Sequence, residues 1–491
     1  MPIRIYNTLT RRKDPFTPLE PNHVKIYVCG ITSYDYCHIG HARSALAFDM
    51  IVRYLRYRGY AVTYIRNFTD IDDKIIKRAA EQNTTTEELA NRFITEFYTD
   101  MDALGIDRPT LEPRATAHIP EMIDLISELI GTGIAYQVGN DVYYSVNSFP
   151  EYGKLSGRNL EDMQAGARIS INEQKNNPMD FVLWKGSKPG EPTWDSPWGP
   201  GRPGWHIECS AMSRRYLGRT FDIHGGGQDL IFPHHENELA QSEGANKTPF
   251  VTTWIHHGFV TIRDEKMSKS LGNFLTIREI AKHYHPEVIR FFIFSTHYRN
   301  PLDFSEAAMQ DATAGLDRLY NCVAALDDLK REGTLDAPSL ISAKDRAKLT
   351  SLEERYQQAM DNDFNTAQAQ AILFDTAKML NKMERQVRQS PGLEDVRFLQ
   401  ETLVIFKKLA GIMGLLQEDA ATYLRQKKAA LLEGLDIDET AINALIKERN
   451  EVRGLRNWAR SDEIRDQLLA KNIELKDGPE GTTWGVRRNQ T

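Results

Sequence analysis

The segment KIYVCGITSYDYCHIGH, which spans residues 25–41, constrains the fold of this chain more than any other. Val24 and Ile26 belong to a short apolar run of the kind that forms a buried strand. Apolar residues then recur at helical spacing over residues 45–55, and a second apolar run follows at residues 61–65. The spacing predicts a strand–helix–strand unit, which is the repeating element of a parallel α/β sheet.

Two histidines lie where the predicted helix begins. His38 and His41 are three residues apart and share one face of the first turn, and Gly40 between them leaves room for a ligand near the backbone. Helix N termini attract anions because their N–H groups lack partners within the helix and the helix dipole is positive there. This HIGH motif predicts a nucleotide phosphate site. Taken alone, however, the motif is explained equally well by two surface histidines at the solvated start of a helix.

The composition indicates a multidomain protein of a reducing compartment. A length of 491 residues predicts three or four domains at about 150 residues each. The net charge of −7 argues against nucleic-acid binding over the whole surface, so any such contact must use local patches. Four scattered cysteines do not make a disulfide framework, and no apolar run approaches the about 18 residues of a membrane span. We therefore expect a cytoplasmic protein that does not bind a membrane.

The second half of the predicted α/β domain contains glycines and histidines that suit a ligand-binding edge. The sequence predicts a short extended segment at Trp205–Cys209 and a tight turn with room for a ligand at Gly225–Gly227. Pro233 is expected to begin a helix on which His234 and Glu238, four residues apart, share one face.

A second motif, KMSKS, follows a segment at residues 254–262 that is predicted as a single strand. Lys266 and Lys269, flanked by hydroxyl groups, suit a mobile clamp on a triphosphate, because they would neutralise charge as pyrophosphate leaves. A solvated loop of lysines and serines is the alternative for this motif alone. Its pairing with HIGH in one chain makes nucleotide chemistry the better explanation.

The predicted fold is an α/β Rossmann-like parallel-sheet catalytic domain with an inserted subdomain, followed by an α-helical bundle and a small α+β C-terminal domain. Gly139 and Asn140 separate two aromatic and β-branched runs, which predicts a hairpin in the insertion. The glycine- and proline-rich residues 186–204 are predicted as a loop. The expected regions are 1–115 (catalytic domain, first half), 116–204 (inserted subdomain and loop), 205–263 (catalytic domain, second half), 264–305 (KMSKS loop and junction), 306–430 (helical bundle) and 431–491 (C-terminal module).

Several residues are candidates for metal ligands at the C-terminal edge of the predicted sheet, where open α/β sheets bind ligands. Cys29 ends the first strand and Cys209 ends the extended segment, while His234 and Glu238 share a helix face. Thiolate, imidazole and carboxylate groups suit zinc. Spacing alone does not separate these four residues from the other candidates, which are Cys37, His206, His224, His235 and Glu236.

HIGH and KMSKS together resemble the signature of class I aminoacyl-tRNA synthetases. Over essentially its full length, the chain resembles the cysteinyl-tRNA synthetase family within that class. The matching segments are YVCGIT, CHIGH, TDIDDKI, NPMDFVLWK, GRPGWHIECSAM, FDIHGGG, FPHHENE, EKMSKSLGN, DNDFNT and DGPEGTTW. The resemblance implies ATP-dependent activation of L-cysteine to cysteinyl-adenylate and transfer of cysteine to the 3′ end of tRNA(Cys).

The resemblance also implies roles for individual residues. One zinc ion per chain would select the thiolate of cysteine over the hydroxyl of serine, and its implied ligands are Cys29, Cys209, His234 and Glu238. Thr69 and Trp205 would shape the amino-acid pocket, and Mg²⁺ would bind with ATP. The residues implied to bind ATP are His38, Gly40, His41, Gly227, Asp229, Lys266 and Lys269, and those implied to be catalytic are His38, His41, Lys266 and Lys269.

The helical bundle and the C-terminal module are expected to hold the tRNA, because single-stranded anticodon bases stack on aromatic side chains and on arginine. Arg453, Trp458 and Trp484 are the candidates for these contacts, although each tryptophan could instead belong to the core of the module. The family resemblance implies a monomer.

Three alternatives remain open from the sequence. A related ligase would pass activated cysteine to a small amino sugar, but such enzymes lack the terminal module that follows residue 430 here. A nucleotidylyltransferase shares the HxGH pattern but has no reason to contain KMSKS or the zinc residues. A non-catalytic, zinc-dependent RNA-binding protein would not need intact HIGH and KMSKS motifs.

Overall fold

A computed structural model describes residues 2–159, 175–262, 275–329, 338–433, 435–478 and 481–486, together with the backbone of residues 265–266. The predicted phosphate clamp therefore falls largely outside the described residues, because Lys269 is not among them and Lys266 is described by its backbone alone. Within these ranges, no helix is both long enough and apolar enough to cross a membrane.

Strands and helices are interspersed up to residue 303, and the described elements between residues 306 and 470 are all helices. The strands, in chain order, are β1 (Arg4–Asn7), β2 (Arg12–Pro15), β3 (His23–Thr32), β4 (Ala61–Thr69), β5 (Ala135–Val138), β6 (Asp141–Tyr144), β7 (Phe181–Gly186), β8 (Gly201–Pro203), β9 (Phe221–Gly227), β10 (Val251–His257), β11 (Val260–Ile262), β12 (Glu265–Lys266), β13 (Leu302–Asp303), β14 (Ile473–Gly478) and β15 (Gly481–Val486). The α-helices are α1 (Ile39–Tyr57), α2 (Asp73–Glu81), α3 (Thr86–Ala103), α4 (Ile119–Gly131), α5 (Trp205–Leu217), α6 (Glu236–Asn246), α7 (Ile277–Ala281), α8 (Pro286–Phe294), α9 (Glu306–Asp327), α10 (Ala343–Thr350), α11 (Leu352–Asp361), α12 (Thr366–Gln389), α13 (Leu393–Ile412), α14 (Ala420–Leu432), α15 (Glu439–Gly454) and α16 (Trp458–Ala470).

A four-stranded parallel sheet, in the order β10–β9–β3–β4, forms the core of the α/β domain. β3 and β4 precede the insertion and β9 and β10 follow it. Because β3 pairs with β4 on one side and with β9 on the other, the two halves of the domain meet in a single sheet. The predicted parallel-sheet α/β domain with an inserted subdomain is therefore confirmed.

Helix α1 packs against this sheet and also contacts the helical bundle. Leu46 and Phe48 on α1 are fully buried in the same apolar core as the strand residues of β3. Near the other end of α1, the Tyr54 hydroxyl donates a hydrogen bond to Asp361 Oδ1 at 2.6 Å, and Arg58 forms an ion pair with the same carboxylate. The helix that begins at the HIGH motif is thus held at its C-terminal end by the bundle.

The insertion forms a separate antiparallel sheet in the order β5–β6–β7–β8. Gly139 and Asn140 connect β5 to β6 as a two-residue hairpin, as predicted. The prediction of a loop throughout residues 186–204 is wrong at its C-terminal end, where Gly201–Pro203 forms the edge strand β8. Pro203 is compatible with this position because an edge strand pairs on one side only.

The prediction of one strand at residues 254–262 is also wrong, because the chain forms β10 and β11 in two different sheets. The break falls at Gly258, whose N–H donates to the Tyr298 carbonyl at 2.9 Å. A Cβ atom at this glycine would lie only 2.4 Å from the Asn300 carbonyl oxygen, so the close approach requires glycine. The period of apolar residues does not reveal such a contact between segments distant in sequence.

The remainder of the chain forms the predicted helical bundle and small α+β module. Helices α9 to α14 share one apolar core with α1 and α8. The C-terminal helices α15 and α16 and the hairpin β14–β15 pack around a smaller core of their own. Its fully or largely buried members are Ile442, Ile446, Ile464, Leu468 and Ile473.

Asp363 connects three parts of the chain through one buried carboxylate. Its Oδ1 accepts hydrogen bonds from Tyr6 N at 2.9 Å, in β1, and from the Tyr298 hydroxyl at 2.8 Å. Its Oδ2 accepts a hydrogen bond from Arg299 Nε at 2.8 Å. The carboxylate therefore joins the N terminus, the segment after α8 and the bundle.

We expect Asp363→Ala to lower the free energy of unfolding by about 3 kcal/mol, because it leaves buried donors without an acceptor. Urea unfolding followed by circular dichroism measures this change. The neighbouring Asn362→Ala is the control, since Asn362 is exposed and accepts one surface hydrogen bond from Lys13. Equal effects of the two substitutions would contradict the role given to Asp363.

Candidate active site

The two histidines of the HIGH motif cap helix α1. His38 Nδ1 accepts a hydrogen bond from Gly40 N at 3.0 Å, and His41 Nδ1 accepts one from His38 N at 3.3 Å. Because each Nδ1 is an acceptor, we assign the proton of each neutral ring to Nε2. The rings are stacked with their centroids 3.7 Å apart. The motif therefore offers two Nε2–H donors at the positive end of a helix, an arrangement suited to phosphate.

The structure brings together the four residues named above as candidate zinc ligands. Cys29 comes from β3, Cys209 from α5, His234 from the segment before α6 and Glu238 from α6. One ligand atom from each residue lies within 4.8 Å of the others. The shortest separations are Cys29 Sγ to Glu238 Oε1 at 3.2 Å, His234 Nε2 to Glu238 Oε1 at 3.0 Å and Cys29 Sγ to Cys209 Sγ at 3.6 Å.

Cys29 lies within β3, which continues to Thr32, rather than at the end of the strand as predicted. The pairing of β3 with β4 shifts register between Val28 and Ile31, and Cys29 and Gly30 occupy the shift. A Cβ atom at Gly30 would lie 1.5 Å from the Asn67 carbonyl oxygen, so only glycine fits there. Cys29 packs in the same apolar cluster as Tyr27, so the regular alternation of the strand places both side chains on one face.

The prediction that Cys209 ends an extended segment is wrong, because helix α5 already begins at Trp205. Gly204 precedes the helix and approaches Val182 so closely that a Cβ atom would lie 2.2 Å from its carbonyl oxygen. Residues 207–213 are all buried. A helix buried on most sides shows no amphipathic period, so the sequence pattern could not reveal it.

The prediction of a tight turn at Gly225–Gly227 is also wrong, because these glycines lie within β9. A Cβ atom at Gly225 would lie 2.2 Å from the Phe48 ring, and one at Gly226 would lie 2.8 Å from Leu230 Cδ1. The glycines therefore allow α1 and the segment after β9 to pack closely on the sheet.

His234 and Glu238 face one another although the helix begins later than predicted. Helix α6 begins at Glu236 rather than at Pro233, and His234 lies in the segment Ile231–His235, which is kinked at Phe232. Phe232 is extended, with φ −140° and ψ 130°, because a residue before proline disfavours the helical conformation.

Three further histidines surround the cluster, and the sequence does not assign a role to any of them. Their spacing in HGGG, WHIEC and PHHENE does not distinguish a ligand from a neighbour of a ligand. His224 and His235, with Cys29 and Glu238, form a second set whose ligand atoms also lie within 4.8 Å of one another. The third is His206, whose Nδ1 lies 2.9 Å from His234 Nδ1.

The electrostatics of the cluster favour a bound cation. Burial, and then the neighbouring Cys209 thiol, raise the pKa of Cys29 well above its ordinary value. Burial acts to raise the pKa of Glu238, yet the imidazoles of His224 and His234 bring that pKa well below its usual range. Burial acts to lower the pKa of His234, but the Glu238 carboxylate raises it to about 10. Without a metal, a protonated His234 thus balances Glu238; a divalent cation would take the place of this proton and allow both thiols to ionise.

Tyr27 lies beside this cluster on β3, two residues before Cys29. Its side chain is fully buried, and its hydroxyl has no hydrogen-bond partner among the described residues. Burial, and then the thiols of Cys209 and Cys29, raise the pKa of Tyr27 well above its ordinary value, so the hydroxyl keeps its proton at neutral pH. A buried hydroxyl without a partner costs about 1–3 kcal/mol.

The residues expected to shape the amino-acid pocket border the same cluster. The indole of Trp205 stacks on the His234 imidazole with ring centroids 4.1 Å apart, and it is 38% exposed. Thr69 ends β4, and its hydroxyl donates a hydrogen bond to Glu208 Oε2 at 2.8 Å. Both residues therefore lie at the C-terminal edge of the sheet, where ligands of open α/β sheets bind.

Gly227 and Asp229, expected at the ATP site, lie at this same edge. Gly227 is the last residue of β9, and Asp229 belongs to the 3₁₀ turn Gln228–Leu230 that follows it. β9 pairs in parallel with β3, so its C-terminal end points in the same direction as the end of β3.

The residues expected to contact tRNA differ in their surroundings. Trp458, the first residue of α16, is 58% exposed. Arg453 Nη1 donates to Asp477 Oδ2 at 2.8 Å. Trp484 packs against the core of the C-terminal module, and the Lys428 ammonium lies 5.6 Å from its ring centroid. The structure therefore leaves Trp458 as the more accessible tryptophan of the two.

Two family profiles match the chain. The profile described as "tRNA synthetases class I (C) catalytic domain" matches residues 15–314, and the profile described as "DALR domain" matches residues 355–417. Mycobacterium tuberculosis methionyl-tRNA synthetase in complex with methionyl-adenylate shares the fold, with a TM-score of 0.61 and 17% identity over 82% of this chain and 93% of that chain. A putative arginyl-tRNA synthetase from Campylobacter jejuni has a TM-score of 0.56 and 12% identity over 81% and 94%. The fold and the matched domains define a class I aminoacyl-tRNA synthetase.

Curated relatives specify the family within this class. The cysteine–tRNA ligase of Desulfotalea psychrophila is 67% identical over 488 residues, which cover 99% of this chain and 100% of that protein. The cysteine–tRNA ligases of Pelobacter propionicus and Geobacter sulfurreducens are 54% and 52% identical, with the same coverage. The chain belongs to the cysteine–tRNA ligase family. The family and the enzyme class predicted from the sequence are thereby confirmed.

Proposed function

We propose that this chain attaches L-cysteine to tRNA(Cys) in an ATP-dependent reaction that proceeds through cysteinyl-adenylate. Membership in the cysteine–tRNA ligase family supports the reaction. The observation that supports the choice of amino acid is the buried cluster of two thiols, one imidazole and one carboxylate at the C-terminal edge of the parallel sheet.

The donor set of this cluster fits one zinc ion per chain. Its sulfur, nitrogen and oxygen ligands are those zinc prefers, and they converge in a buried site. When bound, zinc would hold the thiolate of the substrate cysteine, for which the serine hydroxyl is a poor substitute. The proposed ligands are Cys29, Cys209, His234 and Glu238.

We prefer this set to the alternative one because it contains two thiolates, the ligands with the greatest affinity for zinc. In the alternative set, His224 and His235 replace Cys209 and His234. His235 Nε2 lies 3.3 Å from Cys29 Sγ, and His224 Nε2 lies 2.9 Å from Glu238 Oε2, so each of these histidines contacts a member of the preferred set. We therefore propose that His224 and His235 orient the ligands rather than serve as ligands.

The amino acid is proposed to bind between the cluster and the exposed face of Trp205. The indole stacks on His234, which is proposed as a zinc ligand. The wall of the amino-acid pocket is therefore in direct contact with the metal site. Thr69 is oriented by its hydrogen bond to the buried Glu208 and is proposed to contact the substrate.

ATP is proposed to bind along the C-terminal edge, with its phosphates at the start of α1. His38 and His41 would donate from Nε2 to phosphate oxygens, and Gly227 and Asp229 would lie near the adenosine or the substrate amine. A carboxylate oxygen of cysteine attacks the α-phosphorus in line, the bond to the bridging oxygen breaks, and pyrophosphate leaves. Lys266 and Lys269 would neutralise the departing pyrophosphate, and Mg²⁺ is expected to accompany ATP.

The acceptor is proposed to be the 3′-terminal adenosine of tRNA, whose ribose hydroxyl attacks the adenylate carbonyl and releases AMP. The DALR domain and the C-terminal module support tRNA over a small amino sugar, because the small acceptor would not need them. The exposed Trp458 and the nearby Arg453 are proposed to stack on anticodon bases, with Trp484 as a further candidate.

Charging of unfractionated tRNA with labelled cysteine, serine or methionine, each with Mg-ATP, tests this function. Attachment of cysteine alone supports the reaction, the acceptor and the selection of the amino acid together. Cysteine-dependent ATP–pyrophosphate exchange without charging would refute tRNA as the acceptor. Failure in both assays would refute the proposed activity. The monomeric state and the cytoplasmic location remain predictions.

We expect Lys269→Ala to slow adenylate formation about 10²-fold with little change in stability, because one charge that stabilises the leaving pyrophosphate is lost. ATP–pyrophosphate exchange measures the rate. Lys282→Ala is the control, since Lys282 is an exposed lysine at the end of α7 and has no role in our mechanism. A rate near that of the wild type for Lys269→Ala would refute its role.

A further inference from the structure

Three of the four proposed zinc ligands have an imidazole partner outside the ligand set. Such partners fix the orientation of a ligand and commonly change metal affinity when they are removed. The pairs are His224 Nε2 with Glu238 Oε2 at 2.9 Å, His235 Nε2 with Cys29 Sγ at 3.3 Å and His206 Nδ1 with His234 Nδ1 at 2.9 Å.

Cys209 differs from the other three ligands. In the described part of the chain its sulfur lies near Cys29 Sγ at 3.6 Å, near Asn67 Oδ1 at 3.7 Å and within hydrogen-bonding reach of the His234 imidazole. Asn67 Oδ1 is an acceptor, as shown by the hydrogen bond of 2.9 Å that it receives from Gly30 N. Once both cysteines are thiolates and His234 is itself a zinc ligand, none of these contacts donates a proton to Cys209. The Cys209 thiolate therefore needs a donor from elsewhere.

Tyr27 is placed to be that donor. Side chains two residues apart on a strand point to the same face, so Tyr27 and Cys29 share the face of β3 against which α5 packs. Tyr27, Cys29 and Cys209 belong to one packed cluster. The Tyr27 ring also contacts the His224 ring edge-on, with centroids 5.4 Å apart, which holds the phenol at the base of the site.

We infer that the Tyr27 hydroxyl donates a hydrogen bond to the Cys209 thiolate when zinc is bound, and that Tyr27 is thereby a positioning residue for this ligand. The inference rests on the zinc site of the proposed function. Two thiolates and one carboxylate around a divalent cation leave a net charge of −1 in a buried site, so a further donor is required. A hydrogen bond to an ionised acceptor is also about twice as strong as one between neutral groups. The buried hydroxyl thus gains a hydrogen-bond acceptor, and the buried thiolate gains a hydrogen-bond donor.

The test uses Tyr27→Phe in the full-length protein, which removes one oxygen atom and preserves the ring. Zinc affinity is measured by competition with a chromophoric chelator, and we expect the dissociation constant to rise about tenfold. The cobalt-substituted protein provides a second measurement, because its sulfur-to-metal charge-transfer band reports on the thiolates. We expect this band to shift to lower energy, since a thiolate without a hydrogen bond is easier to oxidise.

Tyr64→Phe is the matched control. Tyr64 lies on the neighbouring strand β4, is similarly buried, and also has a hydroxyl without a partner among the described residues. It packs in the other apolar core, on the opposite face of the sheet from Tyr27. We expect its zinc affinity and its cobalt spectrum to equal those of the wild type, which separates loss of a buried hydroxyl in general from loss of the proposed hydrogen bond.

Three results would overturn the inference, and they are distinguishable. If the wild type and Tyr27→Phe bind zinc with equal affinity and have the same cobalt spectrum, Tyr27 has no role and the proposed zinc site stands. If the wild type binds no zinc, the metal site itself fails, and the inference fails with it. If the Tyr27→Phe protein does not fold, the wild type alone provides a test. The ¹³Cζ resonance of Tyr27 in the wild type must then shift when zinc is added. An unchanged resonance overturns the inference.

Discussion

His41→Asn is expected to slow cysteine-dependent ATP–pyrophosphate exchange about 10³-fold while leaving the stability of the protein nearly unchanged. His41 makes one observed contact and is proposed to make a second. Its Nδ1 accepts the hydrogen bond from His38 N that caps α1, and its Nε2–H is proposed to donate to a phosphate of ATP. Asparagine places an oxygen near the position of Nδ1 and has no group near Nε2. The substitution thus preserves the cap and removes the phosphate donor.

His41→Gln is the complementary variant, because the glutamine amide reaches the position of Nε2 but has no acceptor near Nδ1. We expect it to retain exchange within about tenfold of the wild type and to lose about 1 kcal/mol of stability through the weakened cap. Rates from pyrophosphate exchange and midpoints from thermal unfolding measure the two effects separately. If His41→Asn exchanges at nearly the rate of the wild type, the assignment of His41 to the phosphates is refuted.

The strand–helix–strand unit around HIGH could be predicted from sequence because its determinants are local. The apolar run of β3, the helical spacing of α1 and the histidines at its start all lie within about 35 residues, and each has a recognisable period. Gly59, just past the end of α1, has a φ of 87°, as expected for a glycine that ends a helix. Local patterns therefore predicted the strands and the helix around HIGH, and the family profiles identified the fold in which they lie.

The wrong predictions at α5, β9 and β10–β11 share one cause, which is a contact between distant parts of the chain. The beginning of α5 was predicted as extended because residues 207–213 are buried on nearly every side, so no polar face marks their period. The glycines of β9 suggested a turn, but they are small because Phe48 of α1 and Leu230 pack against them. Gly258 likewise divides one apolar run into two strands through a contact with Asn300. Each of these features depends on a residue distant in sequence, which a pattern along the chain does not contain.

For the metal cluster, the sequence predicts the types of ligand but does not identify the individual ligands. The sequence contains nine candidates with a thiol, imidazole or carboxylate group that could bind zinc, and their spacing does not separate ligands from neighbours. Family resemblance named four, and the structure brings those four together. It also brings together a second, overlapping set that contains His224 and His235. Choosing between the sets requires an experiment on a residue that only one of them contains.

Cys209→Ser provides that experiment. We expect the purified variant to contain far less than one zinc per chain and to lose about 10³–10⁴-fold in kcat/KM for cysteine in pyrophosphate exchange. The serine hydroxyl stays protonated at neutral pH and is a poor ligand, so the site loses one thiolate and with it the affinity for zinc. Discrimination between cysteine and serine should fall by a similar factor, because the two substrates then differ only in size and polarity.

Cys322→Ser is the matched control, since Cys322 is a free cysteine buried in the helical bundle, where its sulfur contacts the Ala377 carbonyl at 3.6 Å. It should retain the zinc content and the selectivity of the wild type. If Cys209→Ser also retains both, Cys209 is not a ligand, and the site must be the set that lacks it. His235→Ala should then remove zinc from the protein. In our assignment, His235→Ala weakens zinc binding less than Cys209→Ser does, because it removes only the partner of Cys29. The order of the two losses therefore decides which four residues bind the metal.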